Sequence, residues 1–250
     1  MKKIIALMIA AMFILAGFAA IAENGTLSIA TNCAFPPYEY YDDATGEPTG
    51  IDVEILKLIC GELGYDVQME DMEFGAIITG VQQGKYDIGF GAITITEERK
   101  NMVNFSVPYE TTIQQIVVLA DSELSSMDAV RAADGIVIGV QQDTTGHYYA
   151  QDDLCADNGN TVNPYMTAAT AIQALKSGAI DCVVVDNGPA QEFLADDDSL
   201  AMFTSDCPPE EYGFCFAKDN ALLDDFNAAL QAKLDDGTIA AILAEFKAAE

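Results

Sequence analysis

The stretch ITGVQQGKYDIGF, residues Ile78 to Phe90, has a counterpart in IQALKSGAIDCVV, residues Ile172 to Val184. Apolar, glycine and aspartate positions coincide between the two stretches at one offset of 94 residues. Each stretch has the pattern of a short amphipathic helix, a glycine at its C-terminal end and an apolar strand. The repeat predicts two similar α/β units, although helix–glycine–strand sequences are common enough in α/β proteins that coincidence is the alternative.

The rest of the chain continues the alternation of strands and helices. Strands are predicted at Leu27–Thr31 and Ile136–Val140, and one apolar helical face runs through 53–63. This pattern indicates mainly parallel sheets flanked by helices, repeated in two lobes. Two further apolar runs, Gln114–Ala120 and Tyr212–Ala217, are candidate crossings between the lobes.

The N-terminus has the features of a secretory signal. Lys2 and Lys3 precede an apolar run that ends near Phe18, and small residues lead to Ala22. The run is short for a transmembrane anchor, which is the competing interpretation. No cysteine follows Gly17 to carry a lipid, so we expect cleavage after Ala22 and export to the periplasm or cell surface without a lipid anchor.

The charge of the chain restricts its partners. The formal net charge is −29, and removal of a leader with two lysines and no acidic residue makes it −31. Nucleic acids and anionic membrane surfaces attract basic patches, so neither is expected as a partner. The spacing of acidic residues and cysteines predicts no metal site and no cofactor.

Export permits disulfides, and the six cysteines allow 15 complete pairings. Cys207 and Cys215 are the favoured pair because Pro208, Pro209 and Gly213 between them suit a turn. Free thiols are the alternative for several of the six, which are Cys33, Cys60, Cys155, Cys182, Cys207 and Cys215.

Arg99 is one of only two arginines, and it ends the run GAITITEER, residues 91–99. The repeat places this run and Asp186 at equivalent strand ends, where open α/β sheets bind ligands. Alternatively, Arg99 pairs with Glu97 or Glu98 on the surface and Asp186 caps the following turn. If the lobes face each other, a cation and an anion meet in the cleft, as the head group of an amino acid requires.

Five ordered motifs resemble the family 3 extracellular solute-binding proteins, which deliver amino acids to ABC importers. They are ATNCAFPPY (30–38), GIDVE (50–54), TITEER with FSVPY (94–99 and 105–109), QDTT (142–145) and DCVVVD (181–186), and the resemblance extends from about Leu27 to Phe246. It implies an α/β, two-lobed periplasmic-binding-protein type II (Venus-flytrap) fold. The implied boundaries are a signal at 1–22, lobe 1 at 23–111 plus 209–250, and lobe 2 at 112–208.

The resemblance also implies roles for individual residues. Arg99 is expected to hold the α-carboxylate of the ligand, with the Thr94 hydroxyl and backbone N–H groups near Ala92 and Thr94. Thr145 is expected to contact the same carboxylate from lobe 2, and Asp186 to take the α-ammonium. These contacts describe a binding protein that closes on its ligand about a hinge.

Side-chain selectivity is assigned to four further positions by the same resemblance. Phe35 and Phe74 are expected to stack on the ligand side chain, with burial in the core as the alternative. Asn32 stands where many polar- or basic-amino-acid binders carry aspartate, and Gln141 where some relatives carry lysine. Since an amide cannot neutralise a cation, a polar neutral amino acid such as glutamine is the first expectation and a basic one the second.

Two acidic residues and two alternative functions complete the sequence-based picture. Asp143 and Glu110 would favour a basic side chain in the cleft. A dehydratase-like enzyme would need an active pair such as Cys33 and His147, and an extracellular sensor is the other alternative. We expect a monomeric, non-enzymatic binding protein whose partners are an amino acid and the membrane permease of an ABC transporter.

Overall fold

The computed structural model describes residues 24–156, 159–195 and 197–247. The predicted signal, residues 1–22, lies outside the described residues. Within these ranges no helix combines the length and the apolar character needed to cross a membrane.

The described elements alternate between strands and helices along the chain. The strands are β1 (Thr26–Thr31), β2 (Tyr40–Tyr41), β3 (Pro48–Thr49), β4 (Asp66–Asp71), β5 (Ile88–Gly89), β6 (Asn104–Phe105), β7 (Glu110–Thr112), β8 (Gln114–Leu119), β9 (Val137–Gln141), β10 (Thr161–Tyr165), β11 (Cys182–Asp186), β12 (Leu200–Thr204), β13 (Glu210–Tyr212) and β14 (Cys215–Phe216). The helices are α1 (Ile51–Glu62), α2 (Phe74–Gln82), α3 (Glu97–Met102), α4 (Met127–Ala132), α5 (Thr145–Tyr149), α6 (Ala168–Lys176), α7 (Asn187–Ala195), α8 (Leu223–Asp235) and α9 (Thr238–Lys247), with a π-helical turn at Ala150–Leu154 after α5.

Two five-stranded sheets form the two lobes of the α/β fold. Their strand orders are β4-β1-β5-β14-β6 and β10-β9-β11-β8-β12. In each sheet the first two pairings are parallel and the last two are antiparallel. The sheets are therefore mixed rather than mainly parallel, because β14 returns to the first sheet and β8 enters the second antiparallel to their neighbours.

The internal repeat corresponds to the same substructure in both lobes. Helices α2 and α6 begin 94 residues apart, as do strands β5 and β11. Gly84 and Gly178 end the paired helices in the left-handed region, with φ of 71° and 73°, a conformation that glycine adopts without a steric penalty. Asp87 and Asp181 then accept hydrogen bonds from Ser28 N and Val137 N at 2.8 and 2.7 Å.

A small antiparallel sheet of β7 and β13 stands where the chain passes between the lobes. The predicted crossing at Tyr212–Ala217 is wrong in extent, because Gly213 and Phe214 separate β13 from β14. The run Gln114–Ala120 is not a crossing but the strand β8 inside the second sheet. The lobe boundaries 23–111 plus 209–250 and 112–208 stay a prediction.

The six cysteines all carry free thiols, so the favoured Cys207–Cys215 disulfide is wrong. Cys215 is fully buried among Ala30, Ile77 and other side chains beside α2. Cys207 instead packs against the hydrophobic cluster of the second sheet. The two thiols belong to the cores of different lobes, despite the turn-like sequence between them.

Candidate functional site

One cavity between the lobes brings together all nine residues that the sequence analysis selected. Its space is about 300 Å³, including the part open to solvent. The selected residues are Asn32, Phe35, Phe74, Ala92, Thr94, Arg99, Gln141, Thr145 and Asp186, and the lining is completed by Glu39, Gly91 and Thr144. Their contacts with a ligand stay a prediction.

Arg99 lies on the short helix α3, whose first turn is capped by the Thr96 hydroxyl. Its guanidinium donates to Thr94 O at 2.9 Å and, across the cleft, to Asp143 O at 3.2 Å. It also lies 5.4 Å from the centre of the Phe74 ring, within the range of a cation–π contact. The side chain is buried, so the alternative of a surface pair with Glu97 or Glu98 is wrong.

The Ala92 loop is held by a buried carboxylate. Ala92 has φ of 47°, and its N–H donates to Asp52 Oδ2 at 2.9 Å. Tyr109 donates to the other oxygen of Asp52 at 2.6 Å. Burial raises the pKa of Asp52 to about 7. Asp52 takes the Ala92 N–H in this structure, and the expected contact of Ala92 with a ligand carboxylate stays a prediction.

Asp186, at the end of β11, accepts a hydrogen bond from Gln114 Nε2 at 3.1 Å. Burial and the nearby Glu210 carboxylate raise the pKa of Asp186 to about 7. The same Gln114 amide donates to Glu210 Oε2 at 3.1 Å. Two carboxylates thus share one donor at the edge of the cavity, an arrangement that favours a cation beside them.

Glu210 connects the two lobes through one oxygen. Its Oε2 accepts from Thr94 Oγ1 at 3.1 Å and from Thr145 Oγ1 at 2.9 Å. The two hydroxyl oxygens are themselves 3.4 Å apart. Thr94 and Thr145 therefore converge as the sequence analysis expected, but the carboxylate they bind here belongs to the chain.

Glu39 is a buried acid with no hydrogen-bond partner for either carboxylate oxygen. Its exposed fraction is 1%, and burial together with the charges of Asp52 and Cys33 raises its pKa well above the ordinary range. A buried polar group without a partner is costly to the fold. This side chain lines the cavity, so a cationic ligand group would supply the missing partner.

The remaining selectivity positions form fixed contacts. Gln141 Nε2 donates to Asn32 Oδ1 at 3.0 Å across the cleft, and Asn32 Nδ2 donates to Met72 O at 2.7 Å. Phe35 is buried and stacks with Tyr38 at a ring distance of 6.2 Å. Asn32 and Gln141 therefore form one hydrogen-bonded pair rather than two separate amides facing the cavity.

Asp143 and Glu110 do not lie on this cavity. Asp143 lines a larger space of about 1250 Å³ on the other side of Phe74 and Arg99. Glu110 Oε1 forms an ion pair with Lys247 Nζ at 2.8 Å. Neither carboxylate is placed to hold the ligand side chain within the cavity itself.

The residues considered for an enzyme have other roles. His147 Nδ1 accepts from Asp143 N at 3.2 Å, and its ring stacks on Tyr148. Burial and the nearby Asp71 raise the pKa of Cys33 to about 11. A thiol that stays protonated at neutral pH is a poor nucleophile.

Four polar residues of the site were missed from the sequence: Glu39, Asp52, Gln114 and Glu210. Glu39 directly follows one quoted motif and Asp52 lies within another, but neither position by itself showed burial. Glu210 is 116 residues from its partner Thr94. No local sequence pattern indicates a contact between residues so far apart in the chain.

The known proteins to which this chain is similar are named for binding small solutes, as a cleft between two lobes would suit. A family described as bacterial extracellular solute-binding proteins, family 3, matches residues 27–248. The arginine-binding extracellular protein ArtP of Bacillus subtilis (strain 168) is 28% identical over 250 residues, covering 96% of this chain and 95% of ArtP. An ancestral arginine-binding protein solved with arginine has a TM-score of 0.81 at 33% identity, over 90% of this chain and 99% of its own.

A further solved structure bears on the enzyme alternative. It is the ancestral amino acid-binding protein AncCDT-1, a precursor of cyclohexadienyl dehydratase, with a TM-score of 0.80 at 30% identity over 90% of this chain and 97% of its own. All three of these relatives are named as binding proteins. Since the family match spans most of the chain and the fold has the expected two lobes and cleft, the chain belongs to the bacterial extracellular solute-binding proteins, family 3.

Proposed function

We propose that this protein captures a basic L-amino acid between its lobes and delivers it to the membrane permease of an ABC importer. The observation that carries the proposal is Glu39, a buried carboxylate on the cavity wall with no partner for either oxygen. A guanidinium or ammonium group at the end of a ligand side chain would donate to it. The basic class therefore replaces the neutral polar class as the first choice.

The opposite end of the ligand would meet the zwitterion contacts. Asp186 lines the cavity and would accept hydrogen bonds from an α-ammonium. Arg99 lines the same cavity together with Thr94 and Thr145. Arginine-binding names among the relatives support the same class. We infer binding rather than catalysis because Cys33 and His147 do not form an active pair, and the relatives are named for binding.

Closure would act through contacts that join the lobes. Asn32 bonds Gln141, Arg99 bonds the Asp143 carbonyl, and Thr94 meets Thr145. A ligand that contacts both lobes stabilises the closed arrangement by its differential affinity for that state. The short strands β7 and β13 are the segments about which the lobes would turn, and the permease would recognise the closed form.

The test is calorimetry with purified protein and L-arginine, L-lysine, L-histidine and L-glutamine. We expect the basic amino acids to bind more tightly than glutamine. Glu39→Gln should weaken arginine binding by about 2–5 kcal/mol, because a buried charge pair is lost. Glu47→Gln, an exposed residue of the β2–β3 turn, is the matched control. Tighter binding of glutamine, or an unchanged arginine affinity in Glu39→Gln, would contradict the proposal.

A further inference from the structure

Asp143 joins the two lobes at a place outside the ligand cavity. It follows β9 in the second lobe, and its backbone lies in the left-handed region with φ of 63°, a conformation that residues other than glycine seldom adopt. Its N–H donates to His147 Nδ1 at 3.2 Å, and its carbonyl accepts from Arg99 Nη2 at 3.2 Å. The turn is therefore held to its own lobe on one side and to Arg99 of the first lobe on the other.

Gly75, in the first turn of α2, is the residue of the first lobe that faces the Asp143 side chain. A Cβ atom at position 75 would overlap Asp143 Oδ2 and would lie 3.0 and 3.1 Å from the Cγ and Cβ atoms of Asp143. The carboxylate could rotate away, but the Asp143 Cβ is fixed by its backbone and would stay closer than the about 3.5–4.0 Å of an ordinary carbon–carbon contact. Glycine at position 75 therefore allows the two segments to lie this close together.

The close approach brings the second lobe within reach of Arg99. The distance of 3.2 Å between Arg99 Nη2 and Asp143 O is at the upper end of the normal hydrogen-bond range, so a small outward displacement of the turn would break this bond. Within the described residues, two of the five guanidinium N–H groups donate to Thr94 O and Asp143 O, which leaves three for a ligand carboxylate. One side chain can thus join the ligand to the second lobe.

We propose that Gly75 and Asp143 form a closure contact that sets the ligand affinity, because it lets Arg99 bind the ligand and the second lobe at the same time. This inference rests on the proposed function, since it assigns residues that determine how tightly the same cleft closes. Neither residue is among those that line the ligand cavity. Asp143 is therefore a positioning residue that acts on the ligand through Arg99.

The first experiment measures L-arginine affinity by calorimetry for the unaltered protein, Gly75→Ala, Asp143→Gly and the double variant. In Gly75→Ala we expect the affinity to fall on the order of tenfold, because the closed arrangement is overpacked. Stability of the ligand-free protein in denaturant should be retained, since alanine is a better helix former than glycine. In the Asp143→Gly background the same substitution should have no effect, because the side-chain atoms that the new Cβ would meet are gone.

Gly61→Ala is the matched control for Gly75→Ala. Gly61 is a helical glycine of α1, and a Cβ added there would meet no atom within 4 Å. We expect this variant to keep the L-arginine affinity of the unaltered protein.

A cross-link tests the closure contact without any ligand. In the double variant Gly75→Cys, Asp143→Cys the two Cβ atoms would start 3.1 Å apart, so an opening of about half an ångström brings them into the roughly 3.5–4.5 Å range of a disulfide. We expect diamide to oxidise this pair and L-arginine to accelerate the reaction, with peptide mapping by mass spectrometry to identify the link. The pair Gly61→Cys, Asp143→Cys should give no link.

The outcomes separate this inference from the proposed function. An L-arginine affinity that is equal in Gly75→Ala and the unaltered protein, a loss of the same size in the Asp143→Gly background, or absence of the 75–143 cross-link would overturn the closure contact and leave the proposed function standing. Binding of L-glutamine without binding of L-arginine would instead reject the proposed basic ligand. The same variants measured with L-glutamine would then decide on the closure contact.

Discussion

Gln141 of the second lobe donates its side-chain amide to Asn32 of the first lobe at 3.0 Å. Both residues are buried, and the other end of the Asn32 amide donates to Met72 O. The orientation of both amides is thereby determined by their donors and acceptors. One contact thus joins a strand end of each lobe at the cavity, and we expect these positions to contribute to closure as well as to ligand selection.

Removing this contact should favour the open arrangement. Gln141→Ala leaves the buried Asn32 Oδ1 without a donor, which costs about 1–3 kcal/mol in the closed state. We expect a weaker ligand affinity and a larger radius of gyration in solution X-ray scattering. Gln142→Ala, at the exposed neighbouring position, is the control. Equal affinity and equal radius for the two variants would show that the amide pair does not stabilise closure.

Arg99 should not tolerate lysine. An ammonium cannot reach Thr94 O and Asp143 O with the planar geometry of a guanidinium, nor stack equally well on Phe74. We expect Arg99→Lys to weaken ligand binding by about 1.5–3 kcal/mol through the lost charged hydrogen bonds. Lys100→Arg, on the exposed side of the same helix, should leave calorimetric affinity unchanged. Wild-type affinity in Arg99→Lys would contradict the expected role of Arg99 in holding the ligand α-carboxylate.

Ligand binding should depend on pH through Asp186, whose pKa is raised to about 7. An α-ammonium requires the ionised carboxylate, so the affinity should fall as pH decreases below 7, by up to about tenfold per pH unit. Binding at neutral pH should also release protons, since Glu39 has a raised pKa as well. Calorimetry in two buffers of different ionisation enthalpy measures this release, and binding without proton release would contradict the assignment.

Stability should show the opposite dependence on pH. Asp52 and Asp186 have folded-state pKa values of about 7, against about 3.9 in an unfolded chain. The folded protein therefore binds more protons than the unfolded chain between about pH 4 and 7, and the free energy of unfolding falls as pH rises through this window. Asp197, with a pKa lowered to about 2, acts in the opposite direction and only below this window.

The variant Asp186→Asn tests this dependence in denaturant titrations of the ligand-free protein. It removes one of three carboxylates with a raised pKa, leaving Asp52 and Glu39, and should make the decline between pH 4 and 7 less steep. Asp128→Asn, at an exposed position of α4, should reproduce the slope of the unaltered protein. A slope that is identical in all three proteins would show that Asp186 titrates normally.

The sequence predicted the site best where function depends on strand ends and short motifs. Arg99 and Asp186 follow equivalent strands of an internal repeat, so topology brought them to one cleft. Glu39 and Glu210 were not predicted, because their importance comes from burial and from partners distant in the sequence. The mixed sheets were also missed, since β14 and β6 are two-residue strands and the apolar run of β8 does not show in which direction that strand pairs.

The repeat itself can be tested through Asp87 and Asp181, which occupy the same position in the two lobes. Asp87 accepts from both the N–H and the hydroxyl of Ser28 at a partly buried site, whereas Asp181 accepts from Val137 N at an exposed one. Each carboxylate joins the start of a repeated strand to the neighbouring strand of its sheet. Both substitutions to alanine should therefore destabilise the fold, and by unequal amounts.

We expect Asp87→Ala to cost about 1.5–3 kcal/mol and Asp181→Ala about 0.5–1.5 kcal/mol in the free energy of unfolding, because solvent replaces the lost partner more readily at an exposed site. Chemical denaturation measures both, with the exposed Asp66→Ala of β4 as the control. If Asp181→Ala alone behaved like the control, the repeated aspartate would stabilise only the first lobe. If both variants behaved like the control, the recurrence of the aspartate at an offset of 94 residues would have no basis in the stability of the fold.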